Sequence, residues 1–163
     1  MPPYQFGGDM IESVSLLEST WQPSPSRFEA GTPNIEGVVG LDAAITYLSA
    51  IGMENVALHT AELVLQARDR LTEIPGLSIL GEPDPRSGIL SFTVAGIHPH
   101  DLASLLGEKE VCIRAGHHCA QPLHTILGIP ASNRISFGIY SEESDIDALI
   151  TGIQSALTDV RHA

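Results

Sequence analysis

The chain has 163 residues, 43% hydrophobic and 17% charged, which is the composition of a globular protein rather than a disordered one. Its net charge is −12, so no basic face is available for a nucleic acid, and no apolar run is long enough to span a membrane. The start, MPPYQFGGDM, lacks the features of a secretory signal, and two cysteines are too few for a disulfide framework. We expect one domain with a substantial core in a reducing, cytoplasmic setting.

The first 33 residues do not have the pattern of the start of a domain. IESVSLLEST, which begins at Ile11, is a candidate strand, and WQPSPSRFEAGTPN, which begins at Trp21, is a predicted loop because it is rich in Pro and Ser. We interpret residues 1–33 as a connector that packs against another domain, and residues 34–163 as the domain itself.

Helices and short strands alternate from Asn34 onward. Asn34 is predicted to cap a helix that runs to about Gly52, and a second helix follows from Met53 to the Pro75-Gly76 break. Short strands are predicted at residues 77–80, 89–94, 110–115 and 133–140.

Shorter helical segments and one long helix complete the predicted elements. His98 is predicted to cap a short helix with Pro99 in its first turn, and LHTIL, from Leu123, forms one or two turns. Ser141 is predicted to cap the last helix, whose apolar residues recur at i, i+3, i+4 and i+7 as far as Val160. The whole pattern predicts an α+β fold in which helices cover a small sheet.

Cys119 lies in the segment IRAGHHCAQPLH, behind two histidines and five residues after Arg114. A free cysteine is most often a small buried hydrophobic residue, but this one lies in a polar loop outside any periodic apolar run. Positive neighbours, here Arg114, His117 and His118, stabilise a thiolate. A reactive thiol is therefore one interpretation of Cys119, whereas Cys112, in the middle of a predicted strand, is interpreted as a core residue.

Metal binding is the competing interpretation of the histidines. Zinc ligands are normally separated by two to four residues, and adjacent loop residues such as His117, His118 and Cys119 rarely point at one ion. His98 and His100 are two residues apart, but no fourth ligand is evident. The spacing therefore does not favour a zinc site within the chain.

Arg114 and Arg134 each lie at the edge of a predicted strand near the Cys119 loop. A guanidinium binds a carboxylate with two hydrogen bonds, although a lone arginine more often belongs to a weak surface ion pair. EAGTPN, around Gly31 and Thr32, either offers backbone N–H groups and a hydroxyl to a phosphate or is an ordinary turn before a helix cap. From the residues alone, the two arginines form either a carboxylate site or surface ion pairs, and the Gly31 segment is either a phosphate-binding loop or an ordinary turn.

Four blocks of the sequence, in this order, resemble the C-terminal part of SUF-type cysteine desulfurases, which are pyridoxal-phosphate enzymes of the class V aminotransferase group. They are MPPYQFGGDMI (1–11), RFEAGTPNI (27–35), GIHPHDLASLL (96–106) and RAGHHCAQPL (114–123). The resemblance extends over essentially the whole chain, and RAGHHCA differs from the active-site loop of the desulfurases that serve the ISC and NIF systems. It implies the small C-terminal domain of a fold-type I pyridoxal-phosphate enzyme, preceded by a connector from the large domain.

The resemblance also implies a function. Family enzymes convert L-cysteine, bound to pyridoxal phosphate, into L-alanine, and a loop cysteine takes the sulfur as a persulfide for iron–sulfur cluster assembly. Cys119 matches that nucleophile, and Arg114 and Arg134 match arginines of the substrate pocket, with Arg134 expected on the substrate carboxylate. Gly31 and Thr32 match a loop that reaches the cofactor phosphate of the other subunit of a homodimer.

His100 matches a histidine that captures the zinc of a zinc-containing, scaffold-like sulfur acceptor in some members of the family. The alternative for His100 is a solvent-exposed histidine in the first turn of a helix. His117 and His118 are expected to support the loop around Cys119.

The chain departs from the family at the cofactor lysine. A desulfurase needs a lysine that binds the cofactor, and Lys109, the only lysine here, lies in a charged turn outside any family motif. The family's lysine motif lies upstream of the position that corresponds to Met1. The chain is therefore expected to be a fragment or truncated product that binds no pyridoxal phosphate and turns over no cysteine by itself.

Two other functions stay open. One is a stand-alone module that docks a sulfur acceptor, and the other is a related domain that cleaves selenocysteine. His124, where the family more often has methionine, adds an imidazole near the loop without an assigned role.

Overall fold

The computed structural model describes residues 1–82 and 84–162. It contains two compact units, Met1–Ala50 and Ile51–Ala163. This division does not test the expected connector at residues 1–33, which stays a prediction.

In the first unit, the segment IESVSLLEST forms a hairpin rather than one strand. Strand β1 (Ile11–Val14) pairs antiparallel with β2 (Ser19–Trp21). The chain reverses between them because the Ser15 hydroxyl accepts the Glu18 N–H at 3.0 Å and donates to the Glu18 carbonyl at 3.1 Å.

Helix α1 (Ile35–Ile51) begins where the sequence predicts it. Asn34 Oδ1 accepts the Gly37 N–H at 2.9 Å, which satisfies one of the unpaired donors of the first turn. The predicted cap is therefore confirmed.

The second unit combines an antiparallel sheet with helices. The strands are hydrogen-bonded in the order β3-β4-β6-β5. In chain order, its elements are α2 (Met53–Thr72), β3 (Leu77–Ile79), β4 (Ile89–Val94), α3 (Pro99–Gly107), β5 (Arg114–Gly116), α4 (Gln121–Leu127), β6 (Ser132–Ser136) and α5 (Glu143–His162).

One hydrophobic core joins the sheet to three of these helices. Leu90 and Phe92 of β4 are fully buried, as are apolar residues of α2, α3 and α5. The periodic apolar residues predicted for the last helix belong to this core or pack against it from Ile146 to Leu157, because a stripe at i, i+3, i+4 and i+7 faces one side of a helix. Val160, at the end of the predicted stripe, is exposed. The predicted α+β fold with helices covering a small sheet is confirmed.

Two predicted boundaries are wrong. The strand expected at 133–140 ends at Ser136. One further backbone bond follows, from the Phe137 N–H to the Gly88 carbonyl at 2.8 Å, and the chain then turns. Ser141 does not cap α5, since its hydroxyl accepts the Gly138 N–H at 3.0 Å. The side-chain bond at this helix start runs instead from the Glu142 N–H to Asp145 Oδ2 at 2.9 Å.

Cys112 is exposed, so its predicted place in the core is wrong. The strand expected at 110–115 pairs only from Arg114, and the residues before it lie outside the ladder. Val111 and Ile113 still pack against the core, and alternation of side chains turns Cys112 to the other side. Its thiol lines a cavity of about 400 Å³ together with Phe137 and other residues.

No single helix among the described residues is both long enough and apolar enough to cross a membrane. Only α1 and α2 taken together, as a bent pair, reach that length and composition.

Candidate active site

Cys119 is exposed in the turn between β5 and α4. The turn is closed by the Ala120 N–H, which donates to the His117 carbonyl at 2.8 Å. His118 and Cys119 both adopt left-handed backbone conformations, with φ of 53° and 62°. Such values are uncommon for residues with a Cβ and concentrate at functional sites, where surrounding contacts hold them.

The guanidinium of Arg114 contacts the sulfur of Cys119. Arg114 is the first residue of β5, and its Nη2 lies 3.8 Å from Cys119 Sγ. The guanidinium is a cationic hydrogen-bond donor, and it is directed at the one atom of Cys119 that can act as a nucleophile.

Arg114 and Arg134 are direct partners in the antiparallel ladder of β5 and β6. Like charges opposite each other destabilise a sheet unless an anion lies between them. Neither Arg114 nor Arg134 forms an ion pair with a carboxylate in the part of the chain that the structure describes. Two unpaired guanidiniums in a chain of net charge −12 form a site for an external anion such as a carboxylate.

His118 is held against β6 by one ring nitrogen. Its Nε2–H donates to the Ser132 carbonyl at 3.1 Å, while Nδ1 is buried and has no hydrogen-bond partner among the described residues. Burial lowers the pKa of His118 below 6.5, the nearby charges of Arg134 and Arg114 lower it further, and the Ser132 carbonyl opposes the shift. The imidazole is therefore uncharged at neutral pH.

Two residues of this site, His124 and Ser132, have no role in the sequence-based predictions. His124 Nδ1 lies 3.0 Å from the Ala120 carbonyl and Nε2 lies 2.9 Å from Ser132 Oγ. Both residues are buried, at 4% and 1% exposure. The only local sign that His124 belongs to the site is that it follows Cys119 by five residues. Nothing near Ser132 in the sequence predicts its hydrogen bond with His124.

His117 is exposed, and its ring meets the ring of His124 edge-on at a centroid distance of 5.4 Å. The rings of His118 and His124 are 5.9 Å apart. The structure thus brings together Cys119, its two preceding histidines and His124. Among the described residues, no group of three or more Cys, His, Asp or Glu side chains is arranged to hold a metal ion.

His100 lies next to the end of β5. Its ring stacks on His98 at 5.4 Å, and a Cβ built on Gly116 would lie 3.8 Å from His100 Nε2. His98 caps α3 as predicted, because its Nδ1 accepts the His100 N–H at 3.3 Å. His100 is therefore exposed beside the strand that leads into the Cys119 turn.

Gly31 and Thr32 belong to the first unit. Gly31 has φ of 94°, which suits glycine, and its N–H donates to the Gly8 carbonyl at 2.9 Å. That N–H is not available to a phosphate in this conformation, so the Thr32 hydroxyl and N–H are the donors that remain for one. Lys109, the only lysine, is exposed in the turn after α3. The residues that the structure describes therefore do not form a complete pyridoxal-phosphate site.

The sequence profile of the aminotransferase class V family matches residues 1–149. A cysteine desulfurase of Haloferax volcanii is 50% identical over 157 residues, which is 96% of this chain and 37% of that protein. The chain therefore spans less than half the length of this curated relative.

Two solved structures are similar to this chain in fold. The crystal structure of the cysteine desulfurase CsdA from Escherichia coli matches with a TM-score of 0.87 at 38% identity, over 97% of this chain and 39% of that one. A C-DES variant with glycine covalently linked to its PLP cofactor, 23% identical with a TM-score of 0.71, shares the fold. The expected small domain of a fold-type I enzyme is confirmed.

Proposed function

The chain belongs to the aminotransferase class V family, and on that premise we propose that it holds the sulfur-accepting cysteine of a SUF-type cysteine desulfurase. The whole protein converts L-cysteine to L-alanine, and Cys119 keeps the sulfur as a persulfide for iron–sulfur cluster assembly. The main support is the contact of Arg114 Nη2 with Cys119 Sγ at 3.8 Å on an exposed turn. In the transfer, an S–S bond forms at Cys119 Sγ and the C–S bond of the substrate breaks.

Arg134 binds the substrate carboxylate in this proposal, with Arg114 beside it. The ladder sets the two residues opposite each other, and neither has an ion-pair partner in the described part of the chain. A carboxylate bound there removes the repulsion between the two guanidiniums, because it is the anion that their planar donors fit.

Pyridoxal phosphate is the cofactor of the whole protein, where it stabilises negative charge on the substrate carbon. Its lysine and ring-binding groups belong outside this chain. The loop of Gly31 and Thr32 approaches its phosphate from the other subunit of a homodimer, with the Thr32 hydroxyl and N–H as the donors. With Lys109 exposed in a turn, the chain by itself is expected to bind no cofactor and to turn over no cysteine.

The sulfur acceptor docks at His100. This imidazole is exposed beside Gly116, where the chain enters the Cys119 turn. An exposed imidazole can bind the zinc ion of a zinc-containing acceptor, which would bring that acceptor next to the persulfide. The two free thiols suit a reducing, cytoplasmic setting.

A chimera tests the proposal, with this chain replacing the matching part of the Haloferax volcanii relative. The wild-type chimera is expected to form alanine from L-cysteine and to carry one additional sulfur atom on the Cys119 peptide, measured by mass spectrometry. Cys119→Ser is expected to lose more than about 99% of turnover, because a hydroxyl cannot accept the sulfur as a persulfide.

Cys112→Ser is the matched control, since this second exposed thiol lies outside the turn and should leave turnover unchanged. Alanine formation at the wild-type rate by Cys119→Ser would contradict the proposal. In the same assay, His100→Ala should keep basal turnover and lose stimulation by a zinc-containing acceptor. Full stimulation of His100→Ala would rule out docking at His100.

A further inference from the structure

We propose that His124 is a positioning residue for Cys119, an imidazole bridge between the Ala120 carbonyl and the Ser132 hydroxyl that holds the left-handed turn where the thiol meets Arg114. This inference rests on the proposed role of Cys119 as the sulfur acceptor.

Helix α4 buries its histidine and exposes its apolar side chains. Leu123, Ile126 and Leu127 are 52%, 82% and 47% exposed, whereas His124 is 4% exposed and is the one buried residue of this helix. Hydrophobic packing therefore does not explain the orientation of α4 within this unit. A polar ring is buried without a large penalty only when its polar atoms are hydrogen-bonded, and both nitrogens of His124 are.

The hydrogen bonds of His124 have a defined direction. A carbonyl can only accept, so Nδ1–H donates to the Ala120 carbonyl at 3.0 Å. In the neutral ring, Nε2 is then the acceptor of the Ser132 hydroxyl at 2.9 Å. The ring thus connects the residue after Cys119 to strand β6.

Ser132 also holds the other side of the turn. It is the ladder partner of Gly116, and its carbonyl accepts the His118 Nε2–H at 3.1 Å. Cys119 lies between His118 and Ala120, so the residues on both sides of it are tied through imidazoles to the same buried serine. This arrangement explains how two successive residues with a Cβ are kept in left-handed conformations that they otherwise disfavour.

Removing the bridge frees the Ala120 side of the turn, which then relaxes toward a right-handed conformation. Cys119 Sγ loses its position 3.8 Å from Arg114 Nη2, and its thiolate loses that cation. The fold outside the turn keeps its core, because that core contains no residue of α4.

Alkylation of the two thiols by iodoacetamide tests this inference on the chain itself. The rate at Cys119 relative to Cys112, measured by peptide mass spectrometry near pH 7, is expected to fall about threefold or more in His124→Leu and in Ser132→Ala. In the double variant, the relative alkylation rate of Cys119 should be no lower than in the more affected single variant, because both substitutions break the same hydrogen bond. His124→Asn, which keeps a donor near the Ala120 carbonyl, should recover part of the rate.

Thr125→Ala is the matched control. It removes a bond of the same i to i−4 type, from Thr125 Oγ1 to the Gln121 carbonyl at 3.2 Å, on the exposed side of the same helix, and should leave the ratio unchanged. General loosening of the fold raises alkylation of both thiols, whereas loss of positioning slows Cys119 alone. If His124→Leu does not fold, as judged by circular dichroism, Ser132→Ala provides the test.

An unchanged ratio in a folded Ser132→Ala or His124→Leu variant would overturn the inference. Alkylation requires no sulfur transfer, so the two proposals fail separately. If the chimera forms no alanine but the alkylation rate of Cys119 relative to Cys112 still falls in the variants, the proposed function is wrong and the positioning role remains. A chimera that forms alanine, together with an alkylation ratio that does not change in the variants, supports the proposed function and removes the positioning role.

Discussion

At the scale of single residues, His118 and His124 differ in the hydrogen bonds of their ring nitrogens. Both are bonded to Ser132, but Nδ1 of His118 is buried without a partner in the described part of the chain, whereas both nitrogens of His124 are paired. Protonating His118 would add a buried N–H and a charge beside Arg114 and Arg134. Burial and these two arginines accordingly lower its pKa.

His118 is expected to make stability depend on pH. Because its pKa is lowered on folding, the unfolded chain binds more protons between the folded pKa and about 6.5, so this contribution is present above about pH 6.5 and is lost as pH falls. Asn tolerates the left-handed conformation and does not titrate, so His118→Asn is the suitable variant. The free energy of unfolding of wild type minus that of His118→Asn should rise between about pH 5 and 7.

Urea unfolding followed by circular dichroism measures this difference across the whole chain. Fluorescence is unsuitable because the only tryptophan, Trp21, lies in the first unit. A difference that is constant or falls with rising pH would contradict the assignment.

At the scale of secondary-structure elements, helices α3 and α5 pack closely at a glycine. Gly152 of α5 is buried, and a Cβ built on it would overlap Leu106 Cδ2 of α3. Leu106 is fully buried in the core, so its side chain has little freedom to move aside. The long apolar stripe of α5 thus reaches α3 at a position where no side chain fits.

Gly152→Ala is expected to destabilise the chain by about 1–3 kcal/mol, because overpacking forces side chains off their rotamers. Gly107→Ala, at the end of α3, is the matched control, since a Cβ there meets nothing within 4 Å. It should be neutral or stabilise by up to about 1 kcal/mol through the lower entropy of the unfolded chain. The stabilities of the two variants are compared by their urea unfolding midpoints. Equal midpoints would show that the Leu106 side chain moves aside without a cost in stability.

At the scale of the whole molecule, acidic charge is poorly balanced. The net charge is −12, whereas the ion pairs among the described residues include Arg68 with Asp69 and Arg70 with Asp147. Repulsion among the remaining carboxylates opposes the compact state. Salt shortens the range of that repulsion, from a Debye length of about 10 Å at 0.1 M to about 3 Å at 1 M.

The melting temperature is therefore expected to rise with KCl, by about 3 °C between 0.1 and 1 M if screening contributes about 1 kcal/mol. A variant with Glu12→Gln, Glu73→Gln and Glu108→Gln removes three exposed charges and should show a smaller rise. Differential scanning calorimetry measures the melting temperature of the wild type and of this variant at each KCl concentration. An equal rise in the two would assign the effect to the general action of salt on apolar surface instead.

Much of the fold could be predicted from local patterns. The cap at Asn34, the strand Ile89–Val94 and the helix after His98 lie where the sequence predicts them, because capping side chains and apolar periodicity act over a few residues. Ser141 and Cys112 were predicted wrongly. The Ser141 hydroxyl instead accepts the N–H of the nearby Gly138, and Cys112 is exposed because its neighbours Val111 and Ile113 are the residues that pack against the core.

The sequence by itself determined that the chain is α+β, that Cys119 lies in a polar loop, and that two arginines accompany it. Three features depend on the tertiary structure and could not be predicted from the sequence. Arg114 is the ladder partner of Arg134, and His100 lies beside Gly116. His118 and His124, on the two sides of Cys119, are both hydrogen-bonded to Ser132. The physical reason is the distance along the chain. Ladder register and side-chain hydrogen bonds between residues 8 to 20 positions apart depend on how β5 and β6 meet, and no short stretch of residues encodes that meeting.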